Sequence, residues 1–191
     1  MNNTSFTKYN EYLRKTSFLG KFYRKYFLYP KLRKFTSNDF LDVGCGLGDF
    51  LSFGSKNSYG IDINPLNIKY CKRRGLKARL IENNKFPFKD KIFKSIIIDQ
   101  VIEHLNEPND TILEIKRVLK NEGILIIGLP CEAGFKRDPD HKKFYNLENA
   151  SKLTQKYDLK ILKSFYLPLP FSFFGKFLPQ QSLYIICKIK D

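Results

Sequence analysis

The sequence predicts an α/β fold whose doubly wound, mostly parallel sheet is covered by helices on both faces. Apolar strand-like segments alternate with helical segments through the middle of the chain. Segments such as SIIID and GILIIGL are continuously apolar, which is typical of parallel strands buried on both sides. The last two strand-like segments are separated by a short connection, so we expect the sheet to end in an antiparallel hairpin.

The chain begins with a basic segment, residues 1–37, which we expect to precede the main part of a single domain at 38–191. From Leu13 to Tyr29 apolar residues recur at helical spacing with lysines and arginines on the other face, and Pro30 should end the helix or helix pair. This amphipathic segment could pack against the sheet edge, cover a site as a lid, or lie on a membrane surface.

The elements that follow can be placed along the chain. The expected strands cover 39–44, 58–64, 76–82, 93–100, 122–130, 159–166 and 182–190, and the expected helices cover 49–56, 65–75, 107–120 and 146–159. The connection 167–181, LPLPFSFFGKFLPQQ, is apolar and rich in phenylalanine. It could cap the core, form a wall for a lipid-like acceptor, or touch a membrane.

Composition and cysteine usage indicate the cellular compartment of the protein. Four cysteines without a CxxC pair argue against a disulfide framework or a zinc knuckle and favour a reducing compartment. The amino terminus lacks the pattern of a secretory signal, and no apolar stretch reaches the roughly 20 residues of a membrane span. We therefore expect a cytoplasmic protein, with peripheral contact to an anionic membrane as a further option.

The net charge of +15 has two readings. It could indicate nucleic acid or an anionic membrane as a partner, or a surface simply filled with lysine. Residues 1–40 hold nine Lys and Arg against two acids, so about half of the excess lies in a fifth of the chain. We favour the lysine-rich surface and do not expect a nucleic-acid partner, and the sequence gives no oligomeric state.

The most informative stretch is LDVGCGLGDF, residues 41–50, at the turn after the first expected strand. Its glycines are Gly44, Gly46 and Gly48, so the third comes one residue earlier than in the dinucleotide fingerprint G-x-G-x-x-G. Asp49 stands at the fingerprint's third glycine position, where a carboxylate would repel a diphosphate.

Two further acids complete the pattern. Asp42 lies inside the motif, and Asp62 ends the next strand 18 residues after Gly44, close to the spacing of about 20 at which an acid binds ribose hydroxyls. The expected ligand is therefore a nucleoside with a cationic tail that carries no phosphate. S-adenosyl-L-methionine is such a molecule.

Four ordered motifs carry a family resemblance. LDVGCGLGDF, YGIDIN, FPFKDKIFKSIIIDQVIEHL and EGILIIGLP together resemble class I S-adenosylmethionine-dependent methyltransferases of the small-molecule groups called type 11 and type 12, over about residues 38–165. The resemblance implies a Rossmann-like sheet of seven strands with an antiparallel final hairpin, and a methyl transfer to a small-molecule acceptor such as a saccharide, a lipid-linked intermediate or a quinone-like ring.

The resemblance also implies roles for individual residues. The glycines would let the backbone approach the methionine and ribose, Asp42 would hold the methionine ammonium directly or through water, and Asp62 would accept both ribose hydroxyls. Glu82 aligns with the family's usual Asp beside the adenine amino group, and Gln100 would face the methyl-transfer region. The implied cofactor-binding set is Asp42, Gly44, Gly46, Gly48, Asp62, Ile63, Glu82, Asn83 and Gln100.

The two histidines are the candidates for a catalytic base. His104 follows the fourth expected strand and His141 follows the fifth, and imidazole has a pKa near neutrality. His104 could instead cap the next helix, and an acceptor that is already ionised would need no base. In this reaction the cofactor supplies the reactivity and the protein mainly positions the acceptor.

Two alternatives remain open at this stage. Small-RNA terminal 2′-O-methyltransferases resemble the chain in an E-x-x-E-H motif with a later histidine, which bind a divalent metal. Here the equivalent positions are Gln100, Glu103 and His104, with His141 as a possible fourth. Gln100 replaces a carboxylate, which would weaken a site for a hard cation, so we assign no metal ligands. The second alternative is a cofactor-binding subunit without an acceptor site of its own.

Overall fold

The computed structural model describes residues 3–15 and 17–190 and contains a seven-stranded sheet in the order β3-β2-β1-β4-β5-β7-β6. The first five strands pair in parallel, and β7 is antiparallel to both β5 and β6. The strands are β1 (Leu41–Val43), β2 (Tyr59–Asp62), β3 (Ala78–Leu80), β4 (Phe93–Asp99), β5 (Leu119–Pro130), β6 (Leu159–Leu167) and β7 (Ser182–Ile189). The predicted fold class and its final hairpin are confirmed.

The described residues form seven α-helices, with a π-helical turn and three 3₁₀ turns in addition. They are α1 (Asn3–Arg14), α2 (Phe18–Tyr23), α3 (Tyr29–Arg33), α4 (Pro65–Arg73), α5 (Asn109–Val118), α6 (Glu132–Arg137) and α7 (Leu147–Lys156). A π-helical turn, Arg24–Leu28, joins α2 to α3, and 3₁₀ turns lie at Leu51–Phe53, Ile102–His104 and Ser172–Lys176.

Both faces of the sheet are covered, as the apolar strands predict. Ile96 and Ile98 of β4 lie in one buried cluster with Ile112 and Ile115 of α5. Ile97, whose side chain points to the opposite face, lies in a second cluster with residues of the amino-terminal helices. Successive side chains of β4 therefore point to opposite faces of the sheet and contribute to the buried clusters on both faces.

The amino-terminal helices share the second core cluster. Leu28, Tyr29 and Leu32 are buried there with Phe40 and Phe50, so the helices before residue 38 pack against the sheet. The expectation that Pro30 ends the helix is wrong. The chain continues as α3 because Pro30 lies in the first turn of that helix, where no backbone N–H is needed.

Other boundaries also differ from the expectations. The helix expected at 49–56 is only a 3₁₀ turn, because Gly54 adopts an extended backbone directly after it. Helix α5 ends at Val118 and β5 begins at Leu119, so the strand is longer at its start than predicted. The short helix α6 has no counterpart among the expected elements.

The connection between β6 and β7 leaves the sheet at the same end as the carboxyl end of β5. Ser182 pairs with Pro130 of β5 on one side and with Leu167 of β6 on the other. The amide of buried Gln181 ties the base of the connection by donating to the carbonyl groups of Leu169 and Phe171. Among the described residues, no helix is long and apolar enough to span a bilayer.

Candidate functional site

The glycine loop follows β1 and has a backbone that favours glycine. Gly44, Gly46 and Gly48 have φ angles of +72°, +52° and +77°, in the left-handed region that side chains disfavour. A Cβ on Gly44 would overlap the side chain of Val101, so the loop passes directly against the segment after β4. A Cβ on Gly46 would lie 3.3 Å from Leu13 of α1.

Asp62, at the carboxyl end of β2, carries a buried carboxylate with three donors. Its Oδ1 accepts a hydrogen bond from the Asn64 backbone at 2.7 Å, and its Oδ2 accepts from the Gly46 backbone at 2.9 Å and from the Asn67 amide at 3.1 Å. Burial raises the pKa of Asp62, and the hydrogen bonds oppose that rise. A carboxylate has about four acceptor positions, so roughly one remains open.

Helix α1 covers this group of polar residues. The Asn10 amide donates to the Asn67 side-chain oxygen at 2.8 Å, and Asn67 in turn donates to Asp62. The Asn64 amide donates to the backbone carbonyl of Phe6 at 2.9 Å. No sequence pattern predicted roles for Asn10, Asn64 and Asn67, and Asn10 reaches Asn67 across 57 positions of the chain.

Two acids of the glycine motif have different surroundings. Asp42 of β1 is buried, and its pKa is raised well above the ordinary value, first by burial and then by the nearby carboxylate of Asp99. Asp49 forms an ion pair with Arg74 at 3.0 Å, and no α-helix begins at Asp49. Asp49 therefore repels a diphosphate less strongly than the sequence predicts, since Arg74 compensates its charge.

The residues predicted to lie beside the adenine and ribose follow two neighbouring strands. β2 and β3 pair in parallel, with Asp62 opposite Leu80, so Ile63 and Glu82 lie at the same edge of the sheet. Ile63 is 48% exposed, and Glu82 and Asn83 are exposed as well. Nothing in the fold buries these positions, so they remain accessible to a ligand.

Gln100 is held by the neighbouring hairpin. Its side-chain amide donates to the Ser182 hydroxyl at 3.4 Å, and its backbone N–H donates to the Gly128 carbonyl at 3.0 Å. The side chain is thereby directed towards β7. Asp99, the last residue of β4, directly precedes Gln100. Burial raises the pKa of the Asp99 carboxyl.

The two histidines meet after β4 and β5. The ring centroids of His104 and His141 lie 4.5 Å apart. Glu103, beside them, is 1% exposed, and burial raises its pKa to about 8. Burial and then the neighbouring His141 lower the pKa of His104, which favours its neutral form.

The fold and the site define a nucleoside-binding α/β domain of the Rossmann-like class. Residues 41–127 match the family described as "Methyltransferase domain". The chain is 28% identical over 142 residues to a "Probable S-adenosylmethionine-dependent methyltransferase" of Mycobacterium tuberculosis, covering 70% of this chain and 52% of that protein. It is 32% identical over 108 residues to "Probable tRNA methyltransferase 9B" of Homo sapiens. That match covers 52% of this chain and 24% of the human protein.

A solved structure shares the fold. A SAM-dependent methyltransferase from Archaeoglobus fulgidus aligns with a TM-score of 0.67 and 19% identity, covering 90% of this chain and 100% of that one. Residues 41–127 belong to the methyltransferase-domain family, and the Archaeoglobus fulgidus structure shares the fold. The predictions of an S-adenosylmethionine-dependent methyltransferase family, of the fold class and of the cofactor are confirmed. The chain spans between 44% and 61% of the length of the curated relatives it matches first.

The described residues fit S-adenosylmethionine. Three residues of the glycine loop, Gly44, Gly46 and Gly48, have no side chain. Asp62 keeps an open acceptor position for a hydroxyl, and Ile63 and Glu82 are exposed at the adjacent strand ends. The geometry of the site is therefore compatible with a nucleoside lying across the carboxyl ends of β1, β2 and β3.

Proposed function

We propose that the protein transfers a methyl group from S-adenosyl-L-methionine to a small-molecule acceptor with a large apolar part, such as a lipid-linked intermediate or a quinone-like ring. The bound cofactor supplies an electrophilic methyl group on its sulfonium. The residues of the chain bind the two molecules, orient them and exclude water.

The observation that supports an apolar acceptor is a group of exposed aromatic side chains near the site. Phe171, Phe173 and Phe177 of the β6–β7 connection are 65%, 60% and 70% exposed, at the sheet end where the cofactor loop lies. Phe18 and Phe27 of the amino-terminal helices are 80% and 61% exposed. Large apolar surfaces of this kind usually contact a ligand, a partner or a lipid.

The two exposed segments border the same part of the core. Leu167, where the connection begins, lies in the buried cluster that also contains Leu28 and Leu32. Tyr23, between the exposed residues of the amino-terminal helices, has its pKa raised to about 12 by burial and then by Asp99 at the end of β4. Both segments therefore border the carboxyl ends of β4 and β5, where a methyl acceptor would lie.

We assign cofactor contacts on the same basis. Asp62 accepts one ribose hydroxyl at its open position, because three of its acceptor positions are already used within the protein. Glu82 and the Asn83 backbone lie beside the adenine. Burial of Asp42 under the loop favours contact with the methionine ammonium through a water molecule over direct contact.

The histidine pair supplies the candidate base. His141 donates its Nδ1 hydrogen to the Phe135 carbonyl at 2.8 Å, which leaves the lone pair on Nε2. His104 is only half-buried, and its lowered pKa keeps it neutral near pH 7. An acceptor that enters beside β4 would meet His104 first, so we propose His104 as the base that contacts the acceptor and His141 as its neighbour.

The test is turnover of methyl-labelled cofactor with a panel of apolar acceptors, soluble saccharides and tRNA. The double variant Phe173→Ser and Phe177→Ser should raise KM for an apolar acceptor at least about tenfold, since burying one phenylalanine contributes roughly 1.5–3 kcal/mol. Leu113→Ser, at a half-exposed apolar position on α5, is the control and should leave KM unchanged.

Other outcomes of the same panel contradict the proposal. Transfer confined to saccharides, with KM unaffected by the phenylalanine variants, would exclude an apolar acceptor. Cofactor binding without turnover of any acceptor would support a non-catalytic subunit. Vesicles containing anionic lipid separate a membrane contact from a binding wall: flotation of the wild type, reduced in the double variant, indicates contact with the bilayer.

Transfer to tRNA is the second candidate. It is favoured by the similarity to the human protein described above and by the net charge of +15, which suits a polyanion. Methyl transfer to tRNA that falls steeply with added salt, without transfer to apolar acceptors, would favour this candidate over the first.

A further inference from the structure

A buried carboxylate without donors lies beside the two histidines. Glu103 is in the 3₁₀ turn after β4 and is 1% exposed. Within the described ranges 3–15 and 17–190, neither of its side-chain oxygens has a hydrogen-bond partner. Leaving a buried acceptor unpaired costs about 1–3 kcal/mol, and more when the group is charged. A bound cation would compensate that cost.

His141 is oriented to provide a ligand atom towards Glu103. Its Nδ1 donates to the backbone carbonyl of Phe135, and its ring stacks on the Phe135 ring with centroids 5.2 Å apart. These contacts fix the tautomer and place Nε2 3.8 Å from Oε1 of Glu103. That distance is too long for a hydrogen bond, and a carbonyl behind the imidazole is the usual support of a metal-binding histidine.

His104 completes the group. Its Nδ1 lies 3.4 Å from the Asp140 carbonyl, and one nitrogen of His104, one of His141 and one oxygen of Glu103 all lie within 4.8 Å of one another. Ligands of a tetrahedral ion with bonds of about 2.0–2.1 Å are roughly 3.3 Å apart. Small side-chain rotations are therefore enough to bring the three atoms to one ion.

We propose that Glu103, His104 and His141 bind one divalent transition-metal ion, with Zn²⁺ as the ion that best fits two imidazoles and one carboxylate. Three protein ligands leave a further coordination position for water or an oxygen of the acceptor. In the metal-bound protein His104 is a ligand, and water at that position takes the place of the His104 base proposed above. The site keeps three of the four positions considered in the sequence, Glu103, His104 and His141, and lacks the first, because the amide of Gln100 is directed to Ser182.

The cluster lies next to the cofactor loop. Val101, two residues before Glu103, is the residue that contacts Gly44. The turn that carries the ligands is thus fixed against the loop, and the backbone carbonyl of Glu103 accepts hydrogen bonds from Lys142 and Lys143 at 2.7 and 3.1 Å. Those bonds hold the segment of His141 against the turn, so the three ligands are brought together before an ion binds.

The experiment is metal binding by the protein alone, without cofactor or acceptor, so its failure is separate from a failure of the methyl-transfer proposal. Chelator-treated protein is titrated with CoCl₂ by absorption and with ZnCl₂ by calorimetry. We expect one ion per chain, with the visible absorption of nitrogen and oxygen ligands. Glu103→Gln and His141→Ala should each weaken binding at least about tenfold.

Controls distinguish this site from the cysteines. Cys71→Ser should bind Co²⁺ like the wild type, since Cys71 lies near the glycine loop and outside the cluster. Zn²⁺ should raise Tm of the wild type and not of the variants, and melts without metal report whether each variant folds. If the buried substitutions prevent folding, His104→Asn at a half-buried position replaces them.

Three results would overturn the proposal. One is the absence of stoichiometric binding by the wild type. The second is a cobalt–thiolate charge-transfer band that Cys71→Ser removes. The third is an affinity unchanged in folded Glu103→Gln and His104→Asn.

Discussion

Two buried carboxylates near the glycine loop have opposite surroundings. Asp62 and Glu103 are 6% and 1% exposed, so both are removed from water. Asp62 accepts three hydrogen bonds from the protein, whereas Glu103 accepts none from the residues that the structure describes. Protein donors fix the orientation of the Asp62 carboxylate, while none among the described residues compensates the burial of Glu103. Equal burial therefore does not mean an equal role.

The largest expected effect is the loss of cofactor affinity when the Asp62 carboxylate, which accepts three hydrogen bonds, is removed. Asp62→Ala should weaken cofactor affinity at least about 100-fold, roughly 2.7 kcal/mol, because it removes the ribose acceptor and leaves three donors unpaired. Calorimetry with S-adenosylmethionine measures it. Asp49→Ala, whose carboxylate pairs with Arg74, is the matched control and should bind normally. Wild-type affinity in Asp62→Ala would refute the ribose assignment.

A smaller effect, a gain in stability, is expected when Glu103 is replaced. In metal-free protein, Glu103→Met should raise the free energy of unfolding by about 1–2 kcal/mol, because an apolar chain of similar length replaces an unpaired buried acid. Urea denaturation at pH 7 measures the change. A loss of stability would mean that the Glu103 carboxylate makes stabilising contacts in the folded protein without any ligand.

The smallest effect concerns a third carboxylate, which is paired at the surface. Glu114 accepts hydrogen bonds from Arg117 and, at 2.7 Å, from the Phe86 backbone, and the Arg117 bonds lower its pKa. The unfolded chain then binds this proton at higher pH than the folded one. The stabilisation is therefore present above the ordinary glutamate pKa and is lost as pH falls through the lowered value.

Glu114→Gln should accordingly flatten the decrease in stability on acidification below about pH 4.3, by less than about 1 kcal/mol. Urea denaturation from pH 3 to 7 measures the profile. Glu107→Gln, an exposed glutamate, is the control and should keep the wild-type profile. An unchanged profile in Glu114→Gln would show that the contact with Arg117 does not persist in solution.

The sheet and the glycine loop could be predicted because their signals are local. Apolar runs such as residues 95–99 specify buried strands, and three closely spaced glycines mark the loop wherever the rest of the chain lies. The helix expected at 49–56 was wrong for a local reason too, since the chain becomes extended at Gly54, where a side chain would overlap Ser58. A single glycine of this kind is easily misread.

The polar network and the histidine cluster could not be predicted in the same way. Asn10 meets Asn67 across 57 positions, and no spacing rule connects them. The side chain of Gln100 points to Ser182 only because β7 lies antiparallel beside β5. Whether a carboxylate such as that of Glu103 is paired depends on every element around it, and a sequence pattern does not contain that information.

The contacts of α1 with Asn64 and Asn67 have a practical consequence. The backbone carbonyl of Phe6 and the side chain of Asn10 contact the two asparagines that donate to Asp62. We therefore expect an affinity tag fused at the amino end, or a shortened variant that starts after residue 14, to disturb the surroundings of Asp62. Protein for binding measurements should carry its tag at the carboxyl end.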